Sequence, residues 1–224
     1  PVLLPDIAVL DPELTLGLPP RVTAMTGIDA MVHAIEAYTS RHKKNPVSDN
    51  LARSALALLA GNLRTAVEDG GNLAARSAML LGAFQAGQAF ANSPVAAVHA
   101  LAYPLGGHYH IPHGLSNSLV LPSVLEFNAR AAALLYAELA PLVVGGPVEG
   151  AAAEATEALV AALRALIGTV GLPATLAEAG VPVADLPMLA DDAMLQQRLL
   201  VNNPREVARE DALAIYRAAY GAAA

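Results

Sequence analysis

The chain has 224 residues, of which 55% are hydrophobic and 4% aromatic, and its formal net charge is −7 with a pI near 5.3. This acidic balance argues against nucleic acid or an anionic membrane as the main partner. Because the sequence contains no cysteine, disulfides and thiolate metal sites are excluded, and any metal ion must be held by nitrogen and oxygen ligands. Abundant Ala and Leu with few aromatic residues favour a helical core.

The sequence shows neither a membrane-spanning run nor a secretory signal. No uninterrupted apolar run reaches about 18 residues, although the mean hydropathy is +0.45. The first residues, PVLLPDIAVLDPEL, lack the basic region, apolar core and cleavage site of a signal peptide. We therefore expect a cytoplasmic protein with no membrane partner.

The first candidate element is a short β-like run at Asp6–Leu10, which is followed by the turn-forming Asp11-Pro12. No second convincing strand follows it. Because a single strand has nothing to pair with, this run is either an irregular lead-in or part of a sheet outside this sequence.

The rest of the sequence predicts helices, so the expected fold class is all-α with one short N-terminal strand. Apolar residues at three- and four-residue spacing predict the first helix, and Ala-rich segments between turn signals predict the others. The predicted helices cover residues 21–40, from 48 or 49 to about 68, from 72 to about 92, from 93 past 99, from 114 onward, 151–170, the region around 176, 186–200 and 211–220.

Glycine and proline predict how these helices end and pack. Gly70 or Gly71 is available for a left-handed C-cap after the second helix. We expect Gly82 and Gly87 to permit close helix packing. We also expect Pro104, with the two glycines that follow it, to interrupt the helix that opens at Ser93-Pro94.

Histidines are concentrated in Val98–Asn117, where four of the six histidines lie in an apolar segment without Lys, Arg, Asp or Glu. Imidazole is the commonest ligand for divalent transition metals and titrates near neutral pH. Any one of these histidines alone is better explained as a packed or surface side chain. His42, which lies beside two lysines, is expected to be solvated.

A second candidate site lies on the first predicted helix, where Asp29 and His33 are four residues apart and share one face. A carboxylate among apolar neighbours is normally paired or bound to a cation, although a surface Asp–His salt bridge explains the spacing equally well. Combined with His99 and His113, the pair forms a ligand set of one carboxylate and three imidazoles. Such a set suits Fe(II) or Zn(II), although neither spacing is diagnostic by itself.

Two motifs resemble the signatures of the iron-containing (group III) alcohol dehydrogenases. Gly27–Tyr38, GIDAMVHAIEAY, is similar to the first signature of that family. Val98–Gly107, VHALAYPLGG, followed by Pro112–Gly114, is similar to the second. Asp11–Thr15 and Asn203–Arg205 also fit, so the resemblance runs across essentially the whole chain and keeps both motifs in order.

The resemblance implies a fold, a ligand set and a reaction. The fold is the helical metal-binding domain of the dehydroquinate-synthase-like and iron-containing alcohol dehydrogenase type. The reaction is reversible hydride transfer between a small alcohol and its aldehyde or ketone, with NAD(P) as cofactor and the metal as a Lewis acid. The implied ligands of Fe(II) or Zn(II) are Asp29, His33, His99 and His113.

The resemblance also implies a missing partner domain. Family members carry an N-terminal α/β domain with a glycine-rich turn for the pyrophosphate of NAD(P), and this sequence has no strand–glycine turn–helix unit. Together with a start at Pro1 rather than Met, this predicts the C-terminal half of a dehydrogenase, inactive alone. Residues 1–15 would then be a lead-in and strand from the absent domain, and residues 16–224 the helical catalytic domain. The family also implies a homodimer or larger oligomer.

One departure from the family concerns the proton relay. Several members have another histidine four residues after the ligand that His99 matches, whereas this chain has Tyr103. A phenol, with a usual pKa of about 10, is poorly suited to general-base work at neutral pH. We therefore predict Tyr103 and His110 as alternative catalytic residues, with His108 equally explained as structural.

The sequence also allows two other functions. The maleylacetate reductases of the same superfamily generally lack the aspartate of the first signature and work without a bound metal, so Asp29 favours the metal-dependent branch. A helical module that binds metal or supports assembly without turnover is the alternative from another class.

Overall fold

The computed structural model describes residues 5–221, so the first four residues of the predicted lead-in and the last three of the predicted helical domain lie outside it. Two short 3-10 helices, at Pro12–Thr15 and Val183–Asp185, accompany the α-helices, and no β-strand occurs among the described residues. The all-α prediction is thus confirmed. The helices are α1 (Pro20–Thr39), α2 (Pro46–Glu68), α3 (Leu73–Asn92), α4 (Ala97–Tyr109), α5 (His113–Val144), α6 (Ala152–Thr169), α7 (Leu186–Ala193), α8 (Gln197–Leu200) and α9 (Arg209–Tyr220).

The predicted strand at Asp6–Leu10 is wrong for this structure. These residues have no regular secondary structure, and the Ile7 and Val9 side chains are 81% and 84% exposed. The physical reason is that no neighbouring strand is present to accept and donate ladder hydrogen bonds. The irregular lead-in that the sequence also allowed is what forms here.

Helix α1 lies at the centre of the array and contacts α2, α3 and α5. Most of its residues from Thr23 to Thr39 are buried, on more than one face of the helix. A helix surrounded in this way brings its polar residues into the interior, where each needs a partner. Asp29, His33 and Glu36 are the polar residues of α1 that matter for the site.

The glycine predictions separate into one that is confirmed and two that are wrong. A Cβ on Gly82 would lie 2.9 Å from Leu59 Cγ, so α2 and α3 approach closely there, whereas a Cβ on Gly87 would meet nothing within 4 Å. Neither Gly70 nor Gly71 has a positive φ, because Asp69 ends α2 and Asn72 at once caps α3.

Asn45 caps the second helix, in place of the predicted Ser48 or Asp49. The side chain of Asn45 accepts a hydrogen bond from the Ser48 backbone N–H at 3.0 Å. Pro46 occupies the first helical position, where its missing N–H costs nothing, so the helix begins earlier than the sequence indicated.

Helix α4 is not interrupted by Pro104 or by the glycines after it, contrary to the prediction. It starts at Ala97, later than Ser93-Pro94, and runs to Tyr109. His110 then adopts a left-handed conformation with φ 54°, and its backbone N–H donates to Gly106 O. The left-handed C-cap that glycine usually supplies is therefore provided by a histidine.

The C-terminal part is organised around α5, which packs against α1, α4, α6 and α9. The helix predicted around residue 176 is a series of turns, and the one predicted over 186–200 is divided into α7 and α8. Asn128 on α5 and Asn203 in the loop before α9 exchange two side-chain hydrogen bonds, at 3.0 and 2.7 Å. This reciprocal pair fastens the loop to α5.

By length and composition alone, α5 is apolar enough to cross a membrane. Core helices of folded domains pass the same test, and the segment from Gly114 to Leu125 is buried by its neighbours. Glu126, Arg130 and Glu138 interrupt its apolar residues.

Candidate metal centre

Three helices bring together the four residues that the sequence combined. Asp29 and His33 lie one turn apart on α1, His99 lies in the first turn of α4, and His113 is the first residue of α5. One ligand atom from each lies within 4.8 Å of all the others. We call these four residues the histidine cluster.

Asp29 lies at the middle of the histidine cluster. Its Oδ1 is 4.0 Å from His33 Nε2, 3.7 Å from His99 Nε2 and 3.6 Å from His113 Nε2. All three imidazoles thus present the same nitrogen to one carboxylate oxygen, at separations longer than a hydrogen bond. The four residues offer the number and the types of ligand atoms that a Zn(II) or Fe(II) site uses.

Unsatisfied polar atoms support the fit of a cation. His99 is 2% exposed, and its Nε2 has no hydrogen-bond partner. Asn117, one turn after His113, donates from Nδ2 to Asp29 Oδ1 at 2.5 Å, while its buried Oδ1 has no partner. A buried nitrogen left without a partner is costly, so its position beside a carboxylate and two further imidazoles fits a bound ion.

Gly114 explains why α5 begins so close to α1. A Cβ at this position would lie 2.3 Å from Met25 O, a distance that real Cβ atoms essentially never show, and 3.3 Å from Asp29 Cβ, which is also tight. The helices can therefore touch only through glycine, and this contact brings His113 beside Asp29.

His33 lies between two rings. Its centroid is 4.5 Å from that of Phe90 and 4.8 Å from that of His99, with the two imidazoles nearly parallel. Burial lowers the pKa of His33 to about 4, although the Asp29 carboxylate acts in the opposite direction. At neutral pH its imidazole is therefore uncharged, which is the form that binds metal ions.

Glu36, two turns along α1 from Asp29, contacts the other side of His99. Its Oε2 is 2.7 Å from His99 Nδ1, and both residues are buried. Burial alone lowers the pKa of His99, but the charge of Glu36 and its hydrogen bond outweigh burial, so the pKa is raised. The Nδ1 atom is thereby engaged by Glu36, and Nε2 is left facing Asp29.

The other sequence candidates occupy different places. The Tyr103 ring borders the histidine cluster, with its centroid 5.9 Å from that of His113. His110 is exposed at the end of α4, and no ring contact joins it to the cluster within residues 5–221. His108 Nε2 is 2.5 Å from Asp192 Oδ2 on α7, which fits the structural alternative, and His42 is exposed as expected.

Sequence reasoning missed three residues around the cluster: Glu36, Phe90 and Asn117. Glu36 lies three positions after His33 and therefore near it on the helix, and Asn117 lies four positions after His113. These spacings were available as a signal. Phe90 gave none, because its approach to His33 depends on how α3 packs against α1.

Residues 23–220 match the family described as the Fe-containing alcohol dehydrogenase family, C-terminal. Long-chain-alcohol dehydrogenase 1 of Geobacillus thermodenitrificans is 44% identical over 97% of this chain and 55% of its own length. The 1,3-propanediol dehydrogenase of Klebsiella pneumoniae is 40% identical over 97% of this chain and 56% of its own length. A crystal structure of a 1,3-propanediol oxidoreductase matches with a TM-score of 0.90 at 40% identity, covering 94% of this chain and 55% of that one.

The chain spans about half the length of the curated relatives it matches. The family match covers most of the chain, including all four residues of the histidine cluster. Fold, motif order and overall similarity agree. The chain belongs to the iron-containing alcohol dehydrogenase family and corresponds to its C-terminal part.

Proposed function

We propose that this chain is the metal-binding part of an NAD(P)-dependent alcohol dehydrogenase that interconverts an alcohol with its aldehyde or ketone. The observation that carries the proposal is the histidine cluster, in which three Nε2 atoms surround Asp29 Oδ1 at 3.6 to 4.0 Å. The named dehydrogenases among its relatives support the same reaction class.

We assign Asp29, His33, His99 and His113 as the residues that hold Fe(II) or Zn(II). One carboxylate and three imidazoles place a single negative charge against a divalent cation and leave a position open for an exchangeable ligand. When bound, the ion supplies Lewis acidity toward a substrate oxygen, and the nicotinamide gives or takes the hydride.

The residues of this chain determine from which side a substrate can approach. His99 is 2% exposed and the His33 ring packs against Phe90, so the inner side of the histidine cluster is less open to water than the His113 side. The His113 side chain is 48% exposed. A substrate would therefore enter on the His113 side, where the ring of Tyr103 forms part of the border.

Tyr103 is our preferred candidate for handling the substrate proton. Its ring lies 6.5 Å from that of His99 and 5.9 Å from that of His113. His110 remains the alternative proposal, acting only if substrate or nucleotide reaches the exposed end of α4. In the completed enzyme, Tyr103→Phe should lower kcat and alter its pH profile, whereas His110→Gly, which suits the left-handed conformation, should not.

We further propose that the nucleotide site comes from an N-terminal domain, because the relatives are nearly twice as long as this chain. Residues 1–15 would lead from that domain into the helical domain of residues 16–224. A homo-oligomer and a cytoplasmic location complete the proposal, as the family resemblance implies.

The test combines metal content with turnover. After dialysis, this chain should retain a single equivalent of Fe(II) or Zn(II), and Asp29→Ala should abolish retention. Asp49→Ala, which removes an acid that pairs with Lys44, is the matched control and should retain it. NAD(P)H oxidation by short-chain aldehydes should appear only when the chain is completed by its N-terminal domain.

Each contrary result points to a different error. A wild-type chain that retains no metal would favour a maleylacetate reductase-like enzyme. Full retention by Asp29→Ala would refute that ligand. Metal retention without turnover in the completed protein would favour a non-catalytic helical module.

A further inference from the structure

Helix α4 begins without a capping side chain of its own. Its N-cap residue is Ala96, which has no side-chain oxygen, and the first turn of a helix leaves N–H groups that need acceptors. This end of α4 is buried, with Ala96, Ala97 and Val98 each 1% exposed or less. Water therefore cannot supply the missing acceptors.

Glu36 supplies them from another helix. Its Oε2 accepts from the Ala96 N–H at 2.9 Å, and its Oε1 accepts from the Val98 N–H at 2.7 Å. A carboxylate at a helix N-terminus also interacts favourably with the helix dipole. Glu36 of α1 thus does for α4 what a local Asp or Ser does at most helix starts.

The same carboxylate contacts the side chain that α4 contributes to the histidine cluster. Glu36 Oε2 lies 2.7 Å from His99 Nδ1 and contacts no Lys or Arg among the described residues. An ionised carboxylate only accepts hydrogen bonds, so Nδ1 must carry the proton that it shares. In the neutral ring, Nε2 is then the unprotonated nitrogen, and this atom faces Asp29 at 3.7 Å.

From this shared contact we propose that Glu36 is a positioning residue that sets both the start of α4 and the metal-binding nitrogen of His99. The inference rests on the proposed function, since it assumes that His99 binds the metal. It goes further by assigning a role to a residue that touches neither the ion nor the substrate. Carboxylates that orient a ligand histidine typically change metal affinity by 10- to 100-fold when removed.

Glu36→Gln keeps nearly the same side-chain volume and changes only the hydrogen bonds. It therefore tests the capping of α4 and the orientation of His99 without opening a cavity. Its single oxygen can accept from Ala96 and His99, but its NH2 group then meets the Val98 N–H, and donor faces donor. In the flipped orientation the NH2 group faces Ala96 N–H and His99 Nδ1, which favours the wrong tautomer. Either way, at least one of the three hydrogen bonds to the wild-type carboxylate is lost.

The experiment measures Zn2+ affinity by competition with a chromogenic chelator, well below the unfolding temperature. Glu36→Gln should raise the Zn2+ dissociation constant about 10- to 100-fold. Asn128→Leu is the control, because it breaks the buried hydrogen-bond pair between α5 and the loop before α9, and Asn128 makes no side-chain hydrogen bond to α4 among the described residues. If it lowers the unfolding temperature and leaves the Zn2+ dissociation constant unchanged, loss of stability alone does not explain the effect of Glu36→Gln.

A second measurement does not depend on any variant. In the Zn2+-loaded wild-type chain, 15N NMR should show His99 coordinating through Nε2, with an Nδ1 proton that exchanges slowly with water. Coordination through Nδ1, or a rapidly exchanging Nδ1 proton, would overturn the proposal even if Glu36→Gln fails to fold.

The two proposals fail differently. If the wild-type chain binds no Zn2+, the proposed function and this inference are both wrong. If it binds Zn2+ and Glu36→Gln binds it equally well, only the positioning role of Glu36 is refuted.

Discussion

Helix α5 carries a member of each of two polar clusters, His113 in the histidine cluster and Asn128 in the asparagine pair that it forms with Asn203. In the asparagine pair each amide donates to the other's oxygen, and Asn203 also donates to Arg205 O at 2.6 Å. In the histidine cluster, the buried Nε2 of His99 has no partner at all.

The difference lies in whether the protein completes its own hydrogen bonds. Both asparagines are buried and their side-chain oxygens and nitrogens are all matched, so the pair holds the loop before α9 against α5. The histidine cluster is equally well constructed, by three helices and a glycine contact, yet it leaves acceptor atoms facing one another. A closed polar cluster stabilises a fold, whereas an open one keeps its interactions for a ligand.

The largest expected effect comes from removing one metal-binding side chain of the histidine cluster. His113→Ala should lower Zn2+ affinity more than 100-fold, beyond the range of about 10- to 100-fold for residues that only orient a ligand. The stability of the metal-free chain should change by less than about 0.5 kcal/mol, because the side chain is half exposed. Equilibrium dialysis and urea unfolding measure the two quantities.

His42→Ala is the matched control for this variant. His42 is an exposed histidine in the loop between α1 and α2, so its removal should alter neither quantity. Equal Zn2+ retention by His113→Ala and the wild type would show that His113, the exposed member of the histidine cluster, is not a metal ligand.

Breaking the asparagine pair should have the opposite outcome, a loss of stability without a loss of Zn2+ affinity. Asn203→Leu removes both hydrogen bonds that the buried Asn128 amide makes with Asn203, which should cost about 2–3 kcal/mol of the free energy of unfolding. Zn2+ affinity should not change. The measurement is urea unfolding of the metal-free chain.

The double variant Asn128→Leu/Asn203→Leu completes this comparison. Replacing both partners removes the unsatisfied groups, so part of the lost stability should return. A double variant that is less stable by the full sum of the two single effects would show that the asparagines act independently.

From the sequence, the fold class and the four residues of the histidine cluster could be predicted. The residues that surround and support this cluster could not. Helix periodicity and the Asp29–His33 spacing are local signals. Donor chemistry grouped this pair with His99 and His113, and the family resemblance implied the same four residues. The role of Glu36 was missed because it depends on a contact with α4, 60 residues and more along the chain. Such contacts follow from packing and cannot be read from spacing within one helix.

The errors about α4 have the same origin. Pro104 and the two glycines after it predict a break when read locally, yet α4 continues to Tyr109. Its buried residues pack against α5 and α7, and this packing outweighs the unfavourable local propensities. The strand predicted at Asp6–Leu10 failed for the complementary reason, because a strong local pattern found no partner.

A smaller effect is expected from Gly114, where α5 contacts α1 and so places His113 in the histidine cluster. In Gly114→Ala the new methyl group would press on the Met25 carbonyl, and relief requires α5 to move away from α1. We expect a loss of about 1–3 kcal/mol in stability, typical of an overpacked contact. Because His113 is the neighbouring residue, Zn2+ affinity should fall as well.

Gly107→Ala is the matched control, since Gly107 is also helical but a Cβ there meets nothing within 4 Å. In a helix interior, alanine is favoured over glycine by about 1 kcal/mol, so this variant should be slightly more stable with unchanged Zn2+ affinity. If both variants behaved alike, the close approach at Gly114 would not be what positions His113.

The smallest expected effect concerns a polar contact at the surface, which belongs to neither cluster. The Tyr109 hydroxyl donates to Asp185 at 2.8 Å, and burial together with this hydrogen bond raises the pKa of Tyr109 to about 12. The unfolded chain releases the same proton near pH 10. Between these values the folded chain binds more protons than the unfolded chain, so stability falls as the pH rises.

The contribution of Tyr109 is therefore fully present below about pH 10 and is lost as the pH rises toward about 12. Tyr109→Phe should remove this part of the alkaline slope, while the other tyrosines contribute equally to both proteins. Because Tyr109 is only partly buried and water screens the contact, we expect a difference below about 1 kcal/mol. Urea unfolding midpoints for both proteins at neutral and alkaline pH measure it, and parallel pH dependences would show that this hydrogen bond does not persist in solution.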